Sequence, residues 1–484
     1  MHVVRLVGAH GAPGVRSVTQ PSRRRWLAIC AAMLAMPWAL TAGAVCYVNA
    51  AAAGANTGAS WTDAYTDLQS ALTNASCSEI WVAQGVYTPS ASAPTVSFNI
   101  GPGVAVYGGF SGSETSRGAR NPAAHVTTLS GVISGGKSQN IVVLNGTVTG
   151  KPITATTVLD GFTLTGGSST STGTGSLGTG GALWCHGSGA GHECSPTLAN
   201  LVFSNNHANY GGALYLDGSN AGASNPTLTN ITFSGNSAVD FGGAMYSNAE
   251  GSGSVCSPTL TNVTFSANTS ASYAGAMAND GGNSGNSSPV LTNVTFSGNS
   301  ATSNGGAMFN IGGTSNPMLT NVTFSGNSAN IGGGIYSSGN NAATNITTLN
   351  SVILWGDSAP GGGPEMYMPG PAVANVYYGV IQGGCPLNAS CSNLSTSDPN
   401  LGSLANNGGF TQTLMPGAGS GTGSSAINAV PCYLAPLTDQ RDAARPDPAS
   451  VGLTNRCDMG AVEANSLPGD FIFADSFGST PRDL

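Results

Sequence analysis

The hydrophobic pattern of this chain is short and alternating. In Val294-Thr295-Phe296-Ser297 apolar and polar residues take turns, the side chains are β-branched or aromatic, and no helical spacing of 3.6 survives beyond a turn or two. Runs of three to five such residues are followed by Asn, Gly and Ser, which turn the chain rather than extend it. The same pattern returns: "TNVTFSGNSA" occupies residues 292–301 and again 320–329, with near copies at 229–238 and 261–270. Aligned on Phe203, Phe233, Phe265, Phe296 and Phe324, the units lie 30, 32, 31 and 28 residues apart.

Self-similarity at this period indicates a solenoid or an array. Short strands joined by corners can bury their apolar side only by stacking on the next copy, as parallel strands about 4.8 Å apart. The pattern therefore predicts an all-β fold, a right-handed parallel β-helix, with the five phenylalanines in its core. Leu214, Met245, Met277, Met308 and Ile335 are expected to fill the interior beside them.

Two asparagine columns keep strict phase with the phenylalanines. Asn200, Asn230, Asn262, Asn293 and Asn321 form one, and Asn206, Asn236, Asn268, Asn299 and Asn327 the other. Identical amides stacked at strand spacing donate to one neighbour and accept from the other, and asparagine tolerates the left-handed backbone of a corner. Both columns are expected to be ladders, and the Asn-x-Thr sequences in the first to serve the backbone rather than glycosylation. A third column, Gly211 to Ala213, Gly242 to Ala244, Ala274 to Ala276, Gly305 to Ala307 and Gly332 to Gly334, is expected to let the wall approach the phenylalanines opposite.

These residues carry a family resemblance. Phe-x-x-Asn (Phe233 to Asn236, Phe296 to Asn299, Phe324 to Asn327) paired with Gly-Gly-Ala-apolar is similar to the repeats of the polymorphic outer membrane proteins, over about residues 155 to 340. That resemblance implies a surface β-helix. Unlike many members, the chain shows no long C-terminal run of membrane strands and no terminal aromatic residue, so an autotransporter barrel is not expected.

The ends differ from the repeats. Trp61, Tyr65, Leu68 and Leu72 share one face of an expected short helix that would plug the first coil, ahead of a buried strand Glu79-Ile80-Trp81-Val82-Ala83. Tyr47 to Ala50, Ile80 to Thr88 and Val106 to Phe110 resemble the start of secreted pectate-lyase-like β-helices. Toward the C-terminus, Asp439-Gln440-Arg441, Arg445-Pro446 and Cys457 to Glu463 resemble the choice-of-anchor Q domain, which implies a module leading into a surface-anchoring tail. Asp439, Arg441 and Asp458 read as a structural ion-pair cluster within it. The tail would include Phe471 to Phe477, too short to span a membrane.

Composition narrows both the class of protein and its compartment. Only 7% of the 484 residues are charged while 71 are glycine, yet 40% are hydrophobic, which excludes both an ordinary globular enzyme composition and disorder. The first 44 residues hold five of the 13 basic residues (Arg5, Arg16, Arg23, Arg24, Arg25) and none of the 21 acids, followed by an apolar run from Trp26 to Leu40 and the A-x-A site Ala42-Gly43-Ala44. This is the pattern of a secretory signal cut after Ala44. Ser22 to Leu27 also resembles a twin-arginine motif, but three arginines before such a run read first as a plain positive segment.

Export leaves a formal charge of about −13, from eight basic residues and 21 acids, and no basic stripe, so nucleic acid is not an expected partner. Outside the cytoplasm cysteines can pair. Cys46 with Cys77, Cys185 with Cys194, Cys385 with Cys391 and Cys432 with Cys457 are the candidate disulfides, Cys256 is left over, and no spacing supports zinc.

Lyases of the β-helix fold resemble one another in using Arg or Lys as base beside calcium-holding carboxylates, and from Pro152 through Gln440 this chain has neither Lys nor Arg. A hydrolase needs two spaced carboxyls. Asp217 and Asp280, two coils apart with Asn248 between, are the candidates, at a separation on the order of 10 Å. The bland reading, two solvated loop acids, is preferred because the Asn-Thr-Asp and Gly-His-Gly patterns of polygalacturonase-like enzymes are missing. His186, His192 and Glu193 read as polar residues of a small disulfide loop, and Asp160 and His207 as corner and edge residues.

The expected organisation is a signal at 1–44, an N-terminal cap with the first coils at 45–125, β-helix repeats at 126–395, a choice-of-anchor Q-like module at 396–466 and a tail at 467–484. The expected function is an exported, secreted or cell-surface (Gram-negative outer membrane) scaffold with an adhesive or display role toward glycans or surface proteins. No catalysis, cofactor, metal or transmembrane span is expected in the mature chain. The alternative is a polysaccharide-degrading hydrolase or lyase.

Overall fold

The computed structural model describes residues 44–170, 178–339, 345–419, 423–446 and 456–466. The expected signal segment up to residue 43 and the tail at 467–484 lie outside them. The protein is a parallel β-solenoid of three faces. The first face is a 15-stranded sheet, the second has nine strands and the third five. In one coil, Thr227–Ser234 belongs to the first face, Ser237–Phe241 to the third and Met245–Asn248 to the second. Equivalent residues pair one for one along the repeats: Phe203 with Phe233, Phe233 with Phe265, Phe265 with Phe296 and Phe296 with Phe324.

That register places the phenylalanines in a single interior stack. The five rings are fully buried, with consecutive centroids 4.6–4.8 Å apart and planes within 8° of parallel. Leu214, Met245, Met277, Met308 and Ile335 are buried in the same core, where alternation along each strand sends every second side chain inward.

The two asparagine columns do different work. Asn200, Asn230, Asn262, Asn293 and Asn321 have φ between 51° and 57° and bend each first-face strand at its middle, so this column holds the left-handed corner. In the second column the left-handed residue is instead the preceding one, as at Gly235, Ala267, Gly298 and Gly326, and the asparagine contributes its amide. Nδ2 of Asn236 donates to Oδ1 of Asn268 at 3.0 Å and to the carbonyl of Phe203 at 2.9 Å, and its backbone N–H donates to the same Oδ1 at 3.0 Å. This arrangement repeats from Asn206 to Asn327, where the ladder ends on Asp357.

The Gly-Gly-Ala column corrects the expectation drawn from its small residues. The glycines do not make room for phenylalanine. A Cβ on Gly212 would lie 2.1 Å from the carbonyl oxygen of Gly243, and one on Gly243 would lie 2.1 Å from that of Gly275. Backbone of the adjacent coil fills the space, and Gly211, Gly242 and Gly305 also take positive φ at this corner.

The N-terminal element also differs from expectation. The helix is Leu68–Thr73 only, because Asp67 caps it by accepting from the N–H of Ser70. Leu68 and Ala71 enter the core, whereas Trp61 lies outside the helix, packed with Tyr47, Trp81 and Phe110 on the outer surface.

Four disulfides close at the candidate pairs: Cys46–Cys77, Cys185–Cys194, Cys385–Cys391 and Cys432–Cys457. Cys256 is free and fully buried, and burial pushes its thiol up, away from the reactive thiolate. A maleimide is expected to leave Cys256 unmodified in the native protein and to label it fully in denaturant, as mass spectrometry would register.

The C-terminal segment does not stand apart from the solenoid. It folds back across the outer side of the first face. Gln440 donates to Thr264 Oγ1 at 2.7 Å and accepts from Thr295 Oγ1 at 2.7 Å, Asp442 accepts from Asn262 at 2.9 Å, and the carbonyl of Thr438 accepts from Asn293 at 2.9 Å. Ile353 and Val380 pack with Ala426, Val430, Cys457 and Met459. Inside the segment Arg441 pairs with Asp439 at 2.7 Å and Arg445 with Glu463 at 3.0 Å, all four nearly fully buried. Asp458 joins this network through backbone N–H groups, accepting from Asn428 and Ala464.

Candidate functional site

With the first face covered over its later coils, the second face offers the longest run of unusual outward side chains. Its strands alternate strictly: in Leu214–Asp217 the two leucines point to the core, and Tyr215 and Asp217 point out. Stacking this alternation builds two outward columns. One runs Trp184, Tyr215, Tyr246, Ala278, Phe309, Tyr336, Tyr367; the other runs His186, Asp217, Asn248, Asp280, Ile311.

The aromatic column is continuous despite Ala278. Phe241 and Tyr273, at the edge of the third face, fill the gap: Tyr273 lies 5.0 Å from both Phe241 and Phe309, centroid to centroid. Phe309 to Tyr336 is 5.1 Å and Tyr336 to Tyr367 is 5.8 Å, each pair within 22° of parallel. Rings stacked along the axis turn their faces toward one another and their edges outward. Tyr367, the last ring, is 36% exposed, whereas Tyr215 and Tyr246 are buried.

The polar column is engaged with its neighbours. Asp217 Oδ1 accepts from the hydroxyl of Ser219 at 2.6 Å, and its Oδ2 lies 3.7 Å from His186 Nε2. Burial, the largest influence, holds His186 below its ordinary value, with Asp217 acting in the opposite direction. Tyr246 donates its hydroxyl to Asp280 Oδ2 at 2.9 Å, and the N–H of Gly282 donates to Oδ1 at 2.8 Å. Burial raises Asp280 above the usual carboxylate range, and it also drives Tyr215 and Tyr246 well above theirs. Asn248 sits between the two acids and donates to the Tyr215 hydroxyl at 2.9 Å.

Asp217 and Asp280 thus share a column, as their places in the repeat imply, but two strand spacings of about 4.8 Å separate them with an amide between. Neither is a loop acid in free solvent: Asp217 is 8% exposed. The small disulfide loop keeps His186 stacked on Trp184 at 4.3 Å, and His192 bonds the carbonyl oxygen of Ser188 at 2.7 Å. Among the described residues no group of three or more His, Cys, Asp or Glu side chains could hold a metal ion. Asp160 pairs with Arg120 at 2.5 Å and accepts from Asn200, so the first asparagine column begins on an ion pair. His207 contacts the hydroxyl of Ser237 at 2.9 Å at the third-face edge.

The aromatic column escapes a reading tuned to identical letters, because its residue types vary from coil to coil. The signal is positional: an aromatic follows the apolar residue after Gly-Gly-Ala, as in Leu214-Tyr215, Met245-Tyr246 and Met308-Phe309.

The model of the Chlamydia polymorphic membrane protein repeat matches the chain at residues 200–217, 293–307 and 321–338. Each match joins the end of a first-face strand to the corner and second-face strand that follow it, or to part of them. No curated protein matches the chain.

Proposed function

We propose that the protein is an exported surface scaffold whose second face binds glycans or surface proteins without cleaving them. The polymorphic membrane protein repeats and the β-solenoid support a surface-exposed role. The observation that carries the non-catalytic reading is the state of the outward acids. Asp217 and Asp280 already accept hydrogen bonds from Ser219, Tyr246 and Gly282, and an amide stands between them. An inverting hydrolase leaves its two carboxyls free to hold a water between them. The aromatic column, which ends in the exposed Tyr367, supplies rigid amphipathic contact area instead.

The resemblance of residues 438–463 to the choice-of-anchor Q domain supports attachment through the C-terminal part, and the pattern of residues 1–44 supports secretion. Among the described residues no helix is long and apolar enough to cross a membrane.

The test is a glycan array followed by reducing-sugar assays on every hit. Binding without new reducing ends is expected, with Tyr367→Ala weakening it about tenfold, the loss typical of an anchoring aromatic. Release of reducing ends that disappears in Asp280→Asn would establish the hydrolase instead.

A further inference from the structure

The second asparagine column ends on an acid. Asp357 takes the place in its coil that Asn327 takes in the one before, and its Oδ1 accepts both the N–H and the Nδ2 of Asn327, at 2.7 and 2.9 Å. Two further departures from the repeat meet it there. The register of Ile335 with Met366 sets Glu365 beside Gly334, in the column where Ala213, Ala244, Ala276 and Ala307 stand in earlier coils. A Cβ on Gly334 would lie 2.6 Å from Asp357 Oδ2. Asparagine has become aspartate, alanine has become glutamate, and the alanine between them has become glycine, which makes room for the carboxyl.

The two carboxyl groups are within hydrogen-bonding reach of each other, and Glu365 Oε1 accepts the backbone N–H of Asp357 at 3.3 Å. Asp357 is 7% exposed and Glu365 3%, and no donor reaches Oδ2 of the one or Oε2 of the other. No basic residue lies between Pro152 and Gln440 to neutralise them. The turns and strands packed around the pair, at 326–339 and 356–367, contribute only Tyr336 and Tyr367 as other titratable side chains. Two buried carboxylates in contact cannot both ionise without a large penalty.

We propose that Asp357 and Glu365 share a proton at neutral pH and form a pH-sensitive latch that closes the last coil of the second face. Among the described residues each is the other's only charged neighbour, and burial raises both, Glu365 to about 7 and Asp357 well above its ordinary range. The folded coil therefore binds a proton that the opened coil, with ordinary carboxyls, releases. Closure is strongest below about pH 4.5 and weakens as pH rises; through about 7 Glu365 gives up its proton to solvent, and the one that remains is held between the two carboxyls. Opening frees the strand Met366–Tyr367, the terminal strand of the second face.

Amide hydrogen exchange over residues 356–368, corrected for its intrinsic pH dependence, tests the latch on the full chain. The wild-type opening constant is expected to rise with pH between about pH 4.5 and 7, by up to tenfold per unit for each of the two protons. Asp357→Asn restores an amide to the ladder, and Glu365→Gln does the same from the other side. Either is expected to lower that slope and to remove one carboxyl's share of an infrared band of neutral carboxyl present in the wild type at pH 6, because the remaining acid is still raised by burial; the two substitutions together are expected to abolish both. Corrected exchange that is flat with pH in the wild type, or an infrared spectrum unchanged by both substitutions, overturns the proposal. If Asp357→Asn does not fold, Glu365→Gln gives the same two readouts.

Discussion

Replacing Asn268 by alanine is expected to destabilise the solenoid by about 3–5 kcal/mol, far more than the same change at Asn230. Asn268 is fully buried in the second column. Its Oδ1 accepts the N–H and Nδ2 of Asn236, and its Nδ2 donates to Asn299 and to the carbonyl of Phe233. Alanine strands two donors and the carbonyl of Phe233 where no water reaches, at roughly 1–3 kcal/mol each, while Asn299 Oδ1 keeps the backbone N–H of residue 268. Asn230 is half-buried and holds a left-handed corner at φ 57°. Its amide contacts, at 3.1 and 3.3 Å, face a surface where water can replace them. Alanine there loses mainly the backbone preference, about 1–2 kcal/mol, and glycine should be nearly neutral. Urea unfolding of Asn268→Ala, Asn268→Gly, Asn230→Ala and Asn230→Gly separates the two roles. Equal losses at both sites would show that the columns are not distinct.

That contrast marks how far the sequence is legible. The solenoid follows from letters alone, because a period-2 pattern repeated every 28 to 32 residues leaves stacking as the only way to bury Phe233, Phe265 and Phe296. The repeat cannot say which asparagine holds a corner and which feeds a ladder, since both tolerate left-handed backbone. A shift of one residue decides it: φ is positive at Asn230 itself in one column, and at Gly235, before Asn236, in the other. The glycine column is similarly ambiguous. Smallness is visible in sequence, but what presses on it, the carbonyl of the adjacent coil, depends on how tightly the corner closes.

The candidate site is less legible for a different reason. Its aromatic column tolerates Trp, Tyr, Phe and even Ala, because Tyr273 fills the space beside Ala278 from another face. Contacts between columns on different faces leave no fixed interval in the chain. Residues 438–446 and 456–463 pose the same problem, since their composition announces a change of environment but not the surface they cover. Thr264, Thr295 and Thr323 differ from Thr232 only in burial: the first three are covered and the last is not.

That covering rests on two buried arginines, and Arg441→Met is expected to release it. Arg441 donates from Nε and Nη2 to Asp439 Oδ2 at 2.9 and 2.7 Å, and from Nη2 to the carbonyls of Glu463 and Ser466 at 2.6 and 2.9 Å. Methionine fills part of the volume but leaves a buried carboxylate without its cation, a loss of about 3–5 kcal/mol. Gln440, the adjacent residue, is the one inserted between Thr264 and Thr295, so the loss falls on the contact that seats the segment. The coils beneath have their own core of stacked phenylalanines. Limited proteolysis should therefore cut within residues 405–446 of the variant while the far-ultraviolet signature of the β-solenoid persists. Adding Asp439→Asn should restore part of the protection, because the uncompensated charge is then gone. Simultaneous loss of the segment and of the solenoid signal would mean instead that the two fold as one cooperative unit, with residues 396–466 required to close the first face rather than added to it.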